Sequence, residues 1–221
     1  SSGTAALLLK GGRTAHSTFK IPIKIWDNSR CNMTPSTAAG LLIKKAKLII
    51  WDEASMIRRD VLNAVDRLFR DVMGSVDTMY EDIFLGGKLV VFGGDFRQVL
   101  PVVPRSTPTD IIAQCINQMD MWDEVHRLRL TENMRVNQAL TSNNTELASH
   151  LQRFSEFLLS IGNGTAPTIL DSQYTRIPDN MILQQATSAQ LSFRIFNDFQ
   201  TENDTRSSVF AGRAILATTN V

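Results

Sequence analysis

An apolar run ends in two adjacent carboxylates at "LIIWDEASM", residues 48–56, and another leads into Asp95 at "GGDFRQ". In an open parallel sheet, ligands bind where the strands terminate, because loops and helix N-termini point their dipoles outward there. Asp52 and Glu53 suit that edge chemically: Asp52 as an oxygen ligand for magnesium, direct or through water, and Glu53 to orient a water attacking a triphosphate. Gln98 adds an uncharged donor that can sense a terminal phosphate. Arg135, in "LTENMR", adds a guanidinium fork that can hold phosphate oxygens in pairs. Each has a plainer alternative. The acidic pair could simply close a buried strand, "GGDFRQ" could be a glycine turn whose Asp and Gln satisfy backbone groups, and Arg135 could sit in a surface ion pair. Taken together, they predict one pocket at the sheet edge where acidic, amide and guanidinium groups converge.

The elements that must carry these groups are readable from periodicity. "KLIIW" is short, continuous and rich in β-branched residues, which predicts a strand covered on both faces. Val61, Leu62, Val65, Leu68, Phe69 and Val72 recur at helical spacing, and "KLVVF" follows after a Gly-Gly turn. Strand, helix and strand in that order predict a parallel sheet flanked by helices, an α/β architecture. Other expected pieces are a short helix over Thr4–Leu9 and a helix capped by Thr34 and Pro35 that reaches Ala46. A helix from Thr107–Pro108 through Asn117 and a strand at "RLRLT" follow. Leu147, Leu151, Phe154, Leu158 and Ile161 mark a further helix that Gly162 can terminate. "SAQLSFRIFNDFQ" is again helical, and "AILAT" is strand-like. Phe96 and "VLPVVP" are expected to pack among themselves rather than meet a base.

Composition narrows the classes. With 43% hydrophobic and 20% charged residues the chain has a globular make-up, so disorder is not the default. Its formal net charge of +1 provides no global basic field, and any nucleic-acid contact must be local. Cys31 and Cys115 stand alone and His16, His126 and His150 are scattered, which suggests neither a disulfide framework nor a zinc site. No apolar stretch is long enough for a bilayer span and no signal pattern opens the chain, so a membrane is not an expected partner.

"SSGTAALLL", "GGRTAHSTFKIPI", "LIIWDEASM", "GGKLVVFGGDFRQVLPVVP" and "LRLTENMR", in this order, resemble the successive motifs of the PIF-type ATP-dependent DNA helicases of superfamily one, in particular the helicase part of Helitron-like transposons. The resemblance implies a RecA-like P-loop NTPase motor that uses ATP and Mg2+ to move 5′ to 3′ along single-stranded DNA and to open duplex junctions. It implies a Walker B pair at Asp52 and Glu53, with Asp52 on the magnesium, a γ-phosphate sensor at Gln98 with Asp95 in its loop, and a phosphate-side arginine at Arg135. It also nominates Ser2, Thr14, His16 and Ser17 as strand-contacting residues, since hydroxyls and an imidazole can bond phosphates without reading bases. Against this, Thr14 or Ser17 could cap the helix near "HSTF", and His16 could be a packed turn residue.

One departure matters: no G-x-x-x-x-G-K-[ST] phosphate loop occurs in the sequence, since Gly87-Lys88 is followed by leucine and "GGRT" lacks the lysine. The simplest expectation is a motor truncated at both ends, with its cradle upstream. Residues 1–165 would then be a first motor domain lacking Walker A, 166–212 a connecting segment, and 213–221 the first strand of a truncated second motor domain. Such a fragment is expected to hydrolyse ATP negligibly. The competing readings are an inactive transposon-derived relic with weak DNA binding, and another P-loop ATPase with non-DNA targets. Roles in repair, recombination, telomere maintenance or transposition, oligomeric state, and a nuclear rather than mitochondrial address within an intracellular setting complete the expectations.

Overall fold

A computed structural model describes residues 6, 9–169, 174–184, 187–196 and 213–216. The chain divides into two compact units, Ser1–Gly164 and Thr165–Val221. The first contains the predicted strand–helix–strand. β1 (Leu48–Trp51) pairs in parallel with β2 (Leu89–Phe92), Leu48 opposite Leu89 and Trp51 opposite Phe92. The crossover is α3 (Arg59–Gly74), preceded by α1 (Ala15–Phe19) and α2 (Ala38–Lys45).

α3 forms because its apolar residues share one face, and that face supplies the core. Val61, Leu62, Val65, Leu68, Phe69 and Val72 are all buried, as expected from the spacing. Phe19 joins the sheet to this helix, its ring 5.6 Å from Trp51 and 5.4 Å from Phe69. Such aromatic contacts add to the area they bury. The return to β2 is pinned chemically: the Leu85 amide donates to Asp66 of α3, and Lys88 Nζ donates to the carbonyls of Lys44 and Ala46 at the end of α2. Partial burial in this role holds the Lys88 ammonium below its ordinary pKa.

Several expectations are corrected. Thr37, not Thr34, caps α2, accepting from the Gly40 amide, because Thr34 and Pro35 are spent on the preceding turn. β1 is covered on one face only: Ile49 and Trp51 face the core, whereas Leu48 and Ile50, with Leu89 and Val91 beside them, are exposed. α4 (Pro108–Ala113) has the predicted start, a full capping box between Thr107 and Asp110, but ends four residues early when Gln114 gives its carbonyl to the Arg59 amide. "RLRLT" is not a strand; Leu128 and Leu130 lie open in irregular chain with no neighbouring strand to pair with among the described residues.

α5 (Met134–Thr141) and α6 (Thr145–Gly162) form a helical pair with a small core of Val136, Ala139 and Ala148. α6 has Asn144 as its N-cap, and the left-handed glycine at its end is Gly164 rather than Gly162. In the second unit, α7 (Ser188–Ile195) carries its own capping box at Thr187 and Gln190. Residues 214–216 of the expected "AILAT" strand show no strand pairing, and the rest of that segment lies outside the described residues, as does most of Thr4–Leu9. No helix among the described residues is long and apolar enough to cross a membrane.

Candidate functional site

The parallel register brings the carboxyl ends of β1 and β2 side by side, and there the two acidic motifs meet. Beyond Trp51 the chain breaks from the strand at Glu53, whose φ of 54° and ψ of 41° are left-handed. For a residue with a Cβ this costs about 1–3 kcal/mol, so the surrounding contacts must hold it. They do so from both sides. Asp52 Oδ1 accepts the Glu53 amide at 3.0 Å, while Gly93 donates to the Trp51 carbonyl and accepts from the Ala54 amide at 2.9 and 2.7 Å.

The glycine pair is what allows this closeness. A Cβ on Gly94 would stand 2.9 Å from the Ser55 amide nitrogen, and one on Gly93 would stand 3.2 Å from Asp52 Oδ1. Two polar atoms near this crossing are buried without a hydrogen-bond partner among the described residues: Glu53 Oε2 and Ser55 Oγ. A buried carboxylate oxygen left unsatisfied is costly unless something binds it. Hard oxygen donors of this type fit a magnesium-bound phosphate.

After the crossing, Asp95 turns the chain. Its Oδ1 accepts both the amide and Nε of Arg97, at 3.0 and 2.9 Å, and its carbonyl accepts the Gln98 amide. The hydrogen bond from the Arg97 side chain holds the Asp95 carboxyl below its ordinary range. Gln98 follows on the exposed side of this turn; Phe96 packs edge-on against Trp122 at 5.5 Å, outside "VLPVVP", while Val99 and Val102 of that loop are exposed, so the loop does not pack on itself as expected. The stem of Arg97 also passes under the end of α6, where a Cβ on Gly162 would approach Arg97 Cβ to 2.8 Å.

A cleft of about 270 Å³ opens beside Asp52, lined also by Leu9, Gly12, Arg13, Phe19 and Ile50. Neither Gln98 nor Arg135 lines it, so the expected single hollow shared by all three is not what this cleft provides. Arg135 instead begins α5, exposed, its amide capped by the Asn133 side chain, on a helix whose buried contacts are with α6. Among the described residues the chain before α5 is irregular, and no strand leads into Arg135.

A family model described as PIF1-like helicase matches residues 1–172. The chain belongs to the PIF1-like helicase family. Its α/β domain with a parallel sheet is accordingly of the RecA-like class. Among solved structures, this family member is similar to Bacteroides Pif1 bound to single-stranded DNA, with 39% identity over 43% of this chain and 21% of that one and a TM-score of 0.37. It is also similar to Bacteroides sp Pif1 in complex with ADP-AlF4, with 28% identity over 65% of this chain and 35% of that one and a TM-score of 0.43. The chain thus spans between about a fifth and about a third of the length of these relatives. No curated protein matches it.

The residues nominated for DNA have varied fates in this PIF1-like chain. Ser2 lies outside the described residues. Thr14 is the N-cap of α1, its hydroxyl oxygen accepting the Ser17 amide at 3.3 Å, which is the local alternative weighed for it. That bond uses the oxygen as acceptor and leaves the O–H free to donate. His16 is exposed on the first turn, and its partial burial lowers its pKa. The sequence reading missed Ser55, Gly94 and the Arg97–Gly162 contact. Gly93-Gly94 directly after a strand was the available sign, since glycine there permits close backbone approach.

Proposed function

We propose that this chain is part of an ATP-driven 5′ to 3′ DNA helicase, acting on single-stranded DNA and duplex junctions in repair, recombination or transposition. The observation that carries the reading is the crossing at the sheet edge: Asp52 and Glu53, one oxygen of Glu53 buried and unpartnered, held against Gly93 and Gly94. Asp52 would hold the magnesium, Glu53 would orient the attacking water, and Gln98 would meet the terminal phosphate from the turn that Asp95 and Arg97 close by hydrogen bonds. Arg135 completes the phosphate side when α5 approaches. Bound magnesium and ATP supply a polarised phosphoryl bond; these residues orient and neutralise around it. Ser2, Thr14, His16 and Ser17 contact the strand backbone. Residues 1–165 form the first motor domain, 166–212 a connector and 213–221 the entry to a second, in a protein with a nuclear address that a tagged chain would reveal by microscopy.

The test supplies the phosphate loop by exchange. A Bacteroides Pif1 whose matching segment is replaced by residues 9–164 is expected to hydrolyse ATP in a DNA-stimulated manner. Glu53→Gln should lower its turnover by about 10²–10⁴-fold, the usual range for a group that handles the proton of the attacking water. Equal turnover by the Gln variant would remove Glu53 from the chemistry.

A further inference from the structure

The charges are distributed unevenly in a way the net value hides. Residues 1–51 carry eight lysines and arginines against a single acid, Asp27, while the rest of the chain is net acidic. Within this basic segment lies a compact loop, residues 20–32, closed at its neck by the Asn32 amide donating to the Lys20 carbonyl at 3.0 Å. Ile21 and Cys31 bury themselves at the two ends and Ile25 packs on the core between them. Surface loops of this closed type hold their shape by their own packing and are often functional.

The tip presents an aromatic ring that the fold does not use. Trp26 is 74% exposed and Ile23 is 96% exposed. The backbone beneath Trp26 is nonetheless fixed: its amide donates to Ser29 Oγ at 2.7 Å and its carbonyl accepts the Ser29 amide at 2.9 Å. Arg67 of α3 then clamps the turn, Nη2 reaching the Ser29 carbonyl at 2.7 Å, and Arg30 pairs with Asp71 one turn along the same helix. Among the described residues Lys20 and Lys24 make no ion pair. A tryptophan on a braced turn, left bare in the same short loop as the lysines at its neck and tip, has the make-up of a stacking platform for unpaired bases, where any base can offer its π-face.

We infer that Trp26 is a base-stacking contact for single-stranded DNA, with Lys20 and Lys24 on the neighbouring phosphates. The inference rests on the helicase reading and adds to it a contact outside the nominated "GRTAHS" loop. Titrating the 221-residue chain with a single-stranded oligothymidylate should quench tryptophan emission, chiefly that of the 74% exposed Trp26, since Trp51 is buried and Trp122 half-buried, and the quench should be lost in Trp26→Ala. Trp26→Ala should weaken binding by about 5- to 150-fold, the equivalent of one stacked base. Trp26→Phe should restore most of that loss, and the thermal midpoint should be nearly unchanged in both, as the ring is 74% exposed. The dependence of affinity on salt should survive Trp26→Ala, whereas Lys24→Ala should flatten its slope by about one unit.

Unchanged affinity in Trp26→Ala would overturn the platform and leave DNA binding standing. Absence of any salt-sensitive binding would overturn both. Self-association of the chain that disappears in Trp26→Ala would assign the ring to a protein contact and overturn the inference.

Discussion

α3 and α6 are of similar length, both are amphipathic and both were expected from the same kind of periodicity, yet their fates differ. α3 buries nine of its residues, including Leu62, Val65 and Phe69, whereas α6 buries Ala148 alone. The stripe of Leu147, Phe154, Leu158 and Ile161 on α6 remains substantially exposed. Periodicity reports which face of a helix is apolar. Whether a partner meets that face depends on residues far away in sequence, here a parallel sheet for α3 and only the short α5 for α6.

Breaking the comparison at its strong end should give the largest effect. Phe69→Ala removes a ring packed against Phe19 and should cost about 3–5 kcal/mol in urea unfolding, whereas Leu158→Ala on the exposed stripe should stay within about 0.5 kcal/mol. Equal losses would mean that α6 is as firmly packed as α3. Next comes the site that the α3 side positions. Gly94→Ala places a methyl against the Ser55 amide and should destabilise by about 1–3 kcal/mol, with lost ATP turnover in the Pif1 exchange protein.

The seam between the two regions is a sharper probe. Gly162→Ala should gain up to about 1 kcal/mol of helix propensity in α6 but crowd Arg97, for a net loss of about 1 kcal/mol. A net gain would show that the turn carrying Gln98 yields freely. The smallest effect is electrostatic. Because Asp95 titrates below its unfolded value, near 3.9, its pairing with Arg97 stabilises above that pH and is lost as pH falls through the lower folded value. Acid unfolding below about pH 4 should therefore begin earlier in wild type than the neutral-pH stability suggests, and Arg97→Ala should flatten that acid limb.

How much was legible follows from the same distinction. The strand–helix–strand, the acidic ends of its strands and the start of α4 are local patterns, and they stand as expected. Thr37 displaced Thr34 as a cap because the turn before α2 consumed Thr34, an event one residue type cannot announce. "RLRLT" alternates like a strand but has no described neighbour to pair with. Arg135 has the chemistry of a phosphate ligand, yet it does not line the cleft beside Asp52, since where α5 lies depends on the chain between β2 and α5 rather than on its motif. Trp26 was legible as a residue but not as an exposed one, since Trp51, of the same type, is buried.

By itself the sequence determined the secondary-structure types with strong periods, the order of the motifs and the residue chemistry at the strand ends, because each depends on neighbours a few positions away. Tertiary structure alone decided that Gly93 and Gly94 cross Asp52 to Ser55 within contact distance, that Glu53 is held left-handed, and that one apolar helix is buried while the other is bare. Those outcomes depend on packing between segments distant in the chain, where excluded volume and hydrogen-bond satisfaction choose among partners that local pattern leaves equal.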